Sequence, residues 1–389
     1  MSLIRTLSLT DLTLFGIVSI MGSGGFNLIG EAVHKGGFLW PVACGTASAL
    51  LLGASHTYSR MYDTAEKGNT MESDLVSNVF GKTAEWATIS GILLFNIVSI
   101  SVILVLCSHM LFPGESWLFQ ISFALLLLAG MATLGLQGLD VNKSVVNALS
   151  VGLVLCLIAV AGIGFFTQDT PRSTLLGSGK SPFSFKGFKC SLLLFFFVLA
   201  GFDVLTKFTE EAKDPENIPK AFFTSNILSS VLTLGVALAI FRWASLTDAN
   251  QENAMGQILE TFLGKGIAKG FDSVIVLFML AATFIVFLSV SRNIYGLGEK
   301  FKIPSLTSLT EGKAPHIAIG VVAVIAAIFI LNNHTETLVT ISNAGLIVTM
   351  LLVSASVTLK DWNASKITSA LLSGVTTAGF GGLLAMCAM

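Results

Sequence analysis

The sequence predicts an all-α, polytopic membrane protein, and three observations carry that prediction. Only 12% of its 389 residues are charged, against about 25% in an ordinary soluble domain. Its mean hydropathy is +0.81. Its apolar residues fall into eleven runs, each close to the roughly 20 residues that cross a bilayer as a helix. The runs are too long for barrel strands and lack a period of two, so helix is the remaining reading. With 22 basic and 23 acidic residues and a net charge of −1, a soluble enzyme, a disordered chain and a nucleic-acid binder are excluded as function classes.

Taken in order, the first run covers about 12–34 and is interrupted by Gly22-Ser23-Gly24-Gly25-Phe26; Glu31 lies near its outer end. The second covers about 38–59, and the third, about 85–111, carries Asn96. The fourth covers about 117–137. The fifth, about 144–166, has Lys143 at its inner end and Leu153 midway. The sixth, about 190–208, contains Leu199-Ala200-Gly201-Phe202-Asp203 near its middle. The remaining runs cover about 219–242, 270–296, 315–331, 336–358 and 367–388. The longest polar stretches, about 60–84, 167–189 and 243–269, are too short for a soluble domain, so residues 1–389 read as one membrane domain. Placing the N-terminus in the cytoplasm puts most Lys and Arg on the inner side. An odd number of spans then puts the C-terminus outside. No cleavable leader pattern precedes the first run.

The first and sixth runs are unusual. Gly22, Gly24 and Gly25 each weaken a helix by about 1 kcal/mol relative to Ala. The two interruptions lie five helices apart, as two five-helix repeats, about 10–166 and 188–360, would place them, with 367–388 as an extra C-terminal helix. Glycine also serves close helix packing in membranes, so each patch has a plainer reading as well. Paired broken helices are nevertheless the best sequence pointer to a transporter site. A break at mid-membrane must line a polar cavity. Its free amides suit a carboxylate and its free carbonyls suit an ammonium group or a cation; a zwitterionic amino acid presents both.

Asp203 is the sharpest single candidate, because an ionisable group within a membrane helix costs about 2.5–3.5 kcal/mol even on mild scales. It reads as a coupling or substrate-contact group, or as a structural partner of Lys207, four residues on. Glu210 and Glu211 fall in the following inner loop and read as gate or capping groups, with Arg60 or Arg292 as partners. Ser289 and Ser291 are the candidate hydroxyls for a sodium ion between the eighth and first helices, against the alternative that they bond their own backbone. The five histidines and the five cysteines (Cys44, Cys107, Cys156, Cys190 and Cys387) are scattered without metal or redox spacing, so neither a metal site nor a cofactor is expected. Asn333-His334-Thr335 fits a glycosylation pattern on the outer side.

Several motifs together resemble a known family. They are Ile20-Met21-Gly22-Ser23-Gly24-Gly25-Phe26, then Gly201-Phe202-Asp203, then the run from Glu210-Glu211 to Asp214-Pro215 and Pro219, and finally Ser291-Arg292-Asn293-Ile294-Tyr295-Gly296-Leu297-Gly298 with Ile303-Pro304. They are similar to the signatures of the amino acid–polyamine–organocation permease superfamily, nearest to its basic amino acid and polyamine antiporter branch. The resemblance implies a LeuT-like fold of five plus five inverted repeats with helices 1 and 6 broken, and secondary transport of amino acids or related amines. It implies that Ser23, Gly24 and Gly25 receive the substrate carboxylate. By the same likeness Ala200 and Phe202 offer carbonyls to the amino group, Phe197 is an aromatic gate, Asp203 couples to protons or substrate, and Asn96 faces the substrate. Leu153 stands where several proton-coupled relatives place a lysine, and eleven helices stand where twelve are usual. The expected partners are a small-molecule substrate and the lipid bilayer, with homo-oligomerisation open. The competing classes are a non-transporting sensor on the same fold and a membrane-embedded transferase, for which no His, Asp and Ser cluster is evident.

Overall fold

In a computed structural model of the chain, the described residues are 5–22, 28–65, 68–166, 184–243, 254–310, 314–332 and 335–388. They form α1 (Leu9–Gly22), α2 (Leu28–Gly36), α3 (Trp40–Thr64), α4 (Met71–Phe80), α5 (Lys82–Leu111), α6 (Trp117–Leu136) and α7 (Leu139–Phe166). The second part continues with α8 (Phe185–Leu199), a 3-10 turn Phe202–Phe208, α9 (Asn217–Trp243), α10 (Ala254–Leu263), α11 (Lys265–Lys300), α12 (His316–Ile330), α13 (Thr335–Asn363) and α14 (Ile367–Ala388).

Among the described residues, nine stretches are long and apolar enough to cross a membrane, and α1 and α12 are shorter apolar helices. The difference from eleven uniform spans has a simple origin. Of the first run the described residues form α1 and α2 on either side of 23–27, and α2 continues through a short 3-10 turn into α3, so that 28–64 is one stretch of 37 residues. Two helices occupy stretches whose polarity predicts loops, α4 and α10. Each is amphipathic: α4 buries Met71, Leu75 and Val76 on one side, which short windows of mean polarity conceal.

The first and sixth runs lie side by side and antiparallel. The second half of the first run, α2, packs on α8, whereas α1 packs on the 3-10 turn that follows α8. Phe15 of α1 meets Phe208 edge-on at 5.7 Å. Around this pair stand α3, α9 and α11, with α5 and α13 beyond α11 and α14 against α13 and α3. Two close approaches need glycine. A Cβ on Gly91 of α5 would meet the Gly345 carbonyl of α13 at 2.6 Å, and a Cβ on Gly22 would overlap Ala282 of α11. Large apolar side chains such as Leu126, Leu155, Val324 and Val375 point outward from α6, α7, α12 and α14, as lipid-facing surfaces do.

Candidate functional site

The sixth run breaks where the sequence places the break. Helix α8 ends at Leu199; Ala200 is extended at φ −74°, ψ 157°, and Gly201 has φ 122°, ψ −4°. That φ is open to glycine at little cost and strained for any other residue. The α1 backbone comes close on the other side: the Ser19 hydroxyl donates to the Gly201 carbonyl at 3.0 Å. The amide of Ala200 bonds back to Phe196. Residues 23–27, which include the candidates Ser23, Gly24 and Gly25, lie outside the described residues, as does Asn333-His334 of the glycosylation pattern. Gly22, the first glycine of that motif, is used for packing against α11.

Asp203 follows the break and is 2% exposed, and its Oδ1 has no hydrogen-bond partner. The Asn96 amide of α5 lies within hydrogen-bonding reach of this carboxyl and donates to the Ile92 carbonyl at 2.9 Å. The neighbouring residue Phe95 meets Phe197 edge-on, with ring centroids 6.0 Å apart. Asn96 and Phe95 of α5 therefore meet Asp203 and Phe197 on either side of the break at Ala200, more than a hundred positions along the chain. The Phe202 ring lies in an aromatic cluster with Tyr58 of α3 and Phe222 of α9.

Lys207 does not pair with Asp203. Its ammonium lies 2.5 Å from Glu72 of α4, and the Thr206 hydroxyl donates to the other Glu72 oxygen at 2.7 Å. Glu72 was invisible in the sequence, because it sits in a polar stretch that gives no sign of being buried. Its burial, at 1% exposure, follows from the docking of α4 against α5 and α13.

A second cluster closes the end of the bundle next to residue 210. Arg292 of α11 holds Glu211 with two hydrogen bonds, from Nε and, at 2.6 Å, from Nη2; its Nη1 donates to the Leu288 carbonyl. The guanidinium also lies over the Phe208 ring, 5.2 Å from its centroid. The Glu211 carbonyl accepts the amides of Thr6 and Leu7, and Lys213 donates to Leu7, so the segment before α1 is fastened to the loop after the 3-10 turn. Glu210 accepts the Asn69 amide at 3.1 Å. Burial, then the nearby carboxylates of Glu299 and Glu211, hold its acid above the usual range, against opposing pulls from Arg292 and Arg5. Arg60 is not a partner of either glutamate: it pairs with Asp361 and Asp63.

The Ser289 hydroxyl points to the Val204 carbonyl at 3.4 Å and that of Ser291 to Phe287 of its own helix at 2.8 Å. Both thus have backbone acceptors. Leu153 is fully buried. Among the described residues no group of three or more His, Cys, Asp or Glu could hold a metal.

Chemically, the arrangement can receive a cationic group. It offers a buried carboxylate with one oxygen lacking a hydrogen bond, a helix break next to it, and a neutral amide and aromatic rings nearby. The profile of the amino acid permease family matches residues 7–389. The chain is 25% identical over 297 residues to the methylthioribose transporter of Bacillus subtilis, covering 70% of this chain and 62% of that protein. It is 26% identical over 345 residues to the chloroplastic cationic amino acid transporter 9 of Arabidopsis thaliana, covering 79% and 57% respectively. The chain thus spans about three fifths of the length of these relatives. Its fold matches MhsT in complex with L-phenylalanine at a TM-score of 0.65 with 13% identity, covering 99% of both chains. It also matches a manganese transporter from Eremococcus coleocola at 0.59 with 11% identity, covering 97% of this chain and 88% of that one.

Proposed function

The chain belongs to the amino acid permease family, and from that premise we propose that it is a secondary transporter of amino acids or related amines. The observation that carries this reading is the unpartnered, buried Asp203 Oδ1 beside the break at Ala200–Gly201. In hydrocarbon such an oxygen is costly unless a ligand or a proton completes it. The substrate ammonium sits against Asp203 and the backbone carbonyls of Ala200 and Phe202. Its carboxylate is received by the amides of Ser23, Gly24 and Gly25, where the dipole of α2 is positive. Asn96 lines the site and Phe197 covers it.

Transport then proceeds by alternating access, with the two interrupted elements tilting as a pair. The inner gate is the Arg292–Glu211 bond with the segment before α1 latched to it, and Glu210 stands next to that latch. The N-terminus lies in the cytoplasm, and the halves about 10–166 and 188–360 act as the inverted repeats. A carboxylate at the site favours amines, including polyamines, over an uncharged thio-sugar such as the one named for the Bacillus relative.

Purified protein in proteoliposomes, assayed with labelled amino acids, putrescine and methylthioribose, with and without sodium and a proton gradient, tests the proposal. Saturable uptake or exchange of an amine supports it. Binding without flux would make the chain a sensor. Neither binding nor flux with any compound would refute the reading.

A further inference from the structure

Helix α5 brings a third residue to the wall of the proposed site. Phe95 meets Phe197, and the Asn96 amide reaches Asp203. With 3.6 residues per turn, Ser99 falls in the sector between Phe95 and Asn96, about 40° from the first and about 60° from the second, and about 4.5 Å beyond Asn96 along the helix axis. Ser99 is 6% exposed, and its hydroxyl has no hydrogen-bond partner. A serine or threonine inside a helix can donate to the carbonyl four residues back. Other buried polar side chains of α5 do find carbonyls: Thr88 takes that of Ala84, Asn96 that of Ile92, Ser101 those of Ile97 and Ala326, and Ser108 that of Gln120. Ser99 makes no such bond to Phe95. An unpaired buried hydroxyl is costly, and a ligand that completes it recovers the loss. Two polar atoms without partners, Ser99 Oγ and Asp203 Oδ1, thus stand on the two elements that Asn96 bridges.

We propose that Ser99 is a specificity-determining residue: its hydroxyl pairs with a hydrogen-bonding group on the substrate side chain, so that the site prefers amino acids with a short hydroxyl-bearing side chain over their apolar isosteres. This rests on the transport reading, in which Asp203 takes the substrate ammonium and the amides at the start of α2 take its carboxylate. Those two groups are common to all α-amino acids and select none of them. The side chain is left to the remaining wall, where Ser99 stands about one turn from Asn96. A serine hydroxyl both donates and accepts, which suits a neutral hydroxyl, and it does not neutralise a second buried charge. Threonine supplies the missing partner. Valine has the same shape, fits against Phe95 and Phe197 equally well, and leaves the Ser99 hydroxyl buried and unpaired.

The test is binding of labelled L-threonine and L-valine, with L-leucine, L-lysine and putrescine alongside, to the full chain in lipid nanodiscs, for wild type, Ser99→Ala and Ser101→Ala. Wild type should bind L-threonine about tenfold more tightly than L-valine. Ser99→Ala should bring that ratio to about one, and without ligand it should melt no lower than wild type, because the hydroxyl it removes has no partner. Ser101→Ala should keep the ratio and melt lower, because its hydroxyl is bonded.

Equal affinity of the wild type for L-threonine and L-valine overturns the assignment without any variant. So does an unchanged ratio in Ser99→Ala. Equal loss of both ligands in Ser99→Ala, or failure of that variant to fold, marks a structural hydroxyl and overturns it as well. If L-leucine, L-lysine or putrescine binds and neither L-threonine nor L-valine does, the side-chain assignment fails and the transport reading stands. Binding of none of the five removes both.

Discussion

Replacing Gly201 by alanine tests the break itself. The backbone there has φ 122°, and a Cβ would come 3.0 Å from the Ser19 carbonyl oxygen and 3.3 Å from its hydroxyl. A non-glycine residue held in such a region costs about 1–3 kcal/mol. Displacing the Ser19 hydroxyl from the Gly201 carbonyl costs about 1 kcal/mol more. The expected loss is about 2–4 kcal/mol, or a factor of about 30 to 1,000 in the equilibrium between this backbone and alternatives. The comparison variant is Gly130→Ala on α6, where a Cβ meets nothing within 4 Å and helix propensity favours Ala by up to about 1 kcal/mol. Thermal unfolding of the detergent-solubilised protein, followed by size-exclusion fluorescence, should show Gly201→Ala melting several degrees lower and Gly130→Ala unchanged or higher. Equal melting temperatures for Gly201→Ala and wild type would refute the assignment of a strained, glycine-dependent break.

Asp203→Asn should keep the fold and lose amine binding, a change read by proteoliposome uptake; uptake unchanged at every pH would remove its role. Arg292→Met should destabilise by about 3–5 kcal/mol, because it leaves Glu211 charged and buried, and Arg292→Met/Glu211→Met should recover much of that in the same melting assay. Gly345→Val should separate α5 from α13 and lower the yield of folded protein, since even a Cβ at that position lies 3.2 Å from the Gly91 Cα. Glu210 has its acid raised in the folded state by burial and by Glu299 and Glu211. The folded state therefore binds this proton more tightly than the unfolded one, and the contribution is largest below the ordinary carboxylate range and falls as pH rises through the raised value. Glu210→Gln should flatten that part of the stability–pH curve, measured by melting across pH, and leave the acid end unchanged.

The bilayer made much of the fold legible. A medium that cannot solvate backbone groups forces long apolar helices, so the runs about 85–111 and 367–388 could be read from hydropathy alone. The break at Ala200–Gly201 was legible too, because glycine followed by a charged residue has few reasons to stand mid-span. The same rule hid α4: an amphipathic helix of mixed polarity is too polar on average to stand out as an apolar run, and a stretch that looks like a solvated loop contains the buried Glu72.

What the sequence determined by itself is the solvent, the span pattern and the place where one helix must yield, since each follows from local composition. What only the tertiary structure decided is which charges meet. Lys207 lies four residues from Asp203 yet bonds to Glu72, 135 positions away in the chain. Arg292 takes Glu211, while Arg60 goes to Asp361. Charge pairing depends on distances of a few ångströms between elements far apart in sequence, and those distances are set by helix packing rather than by any pattern along the chain.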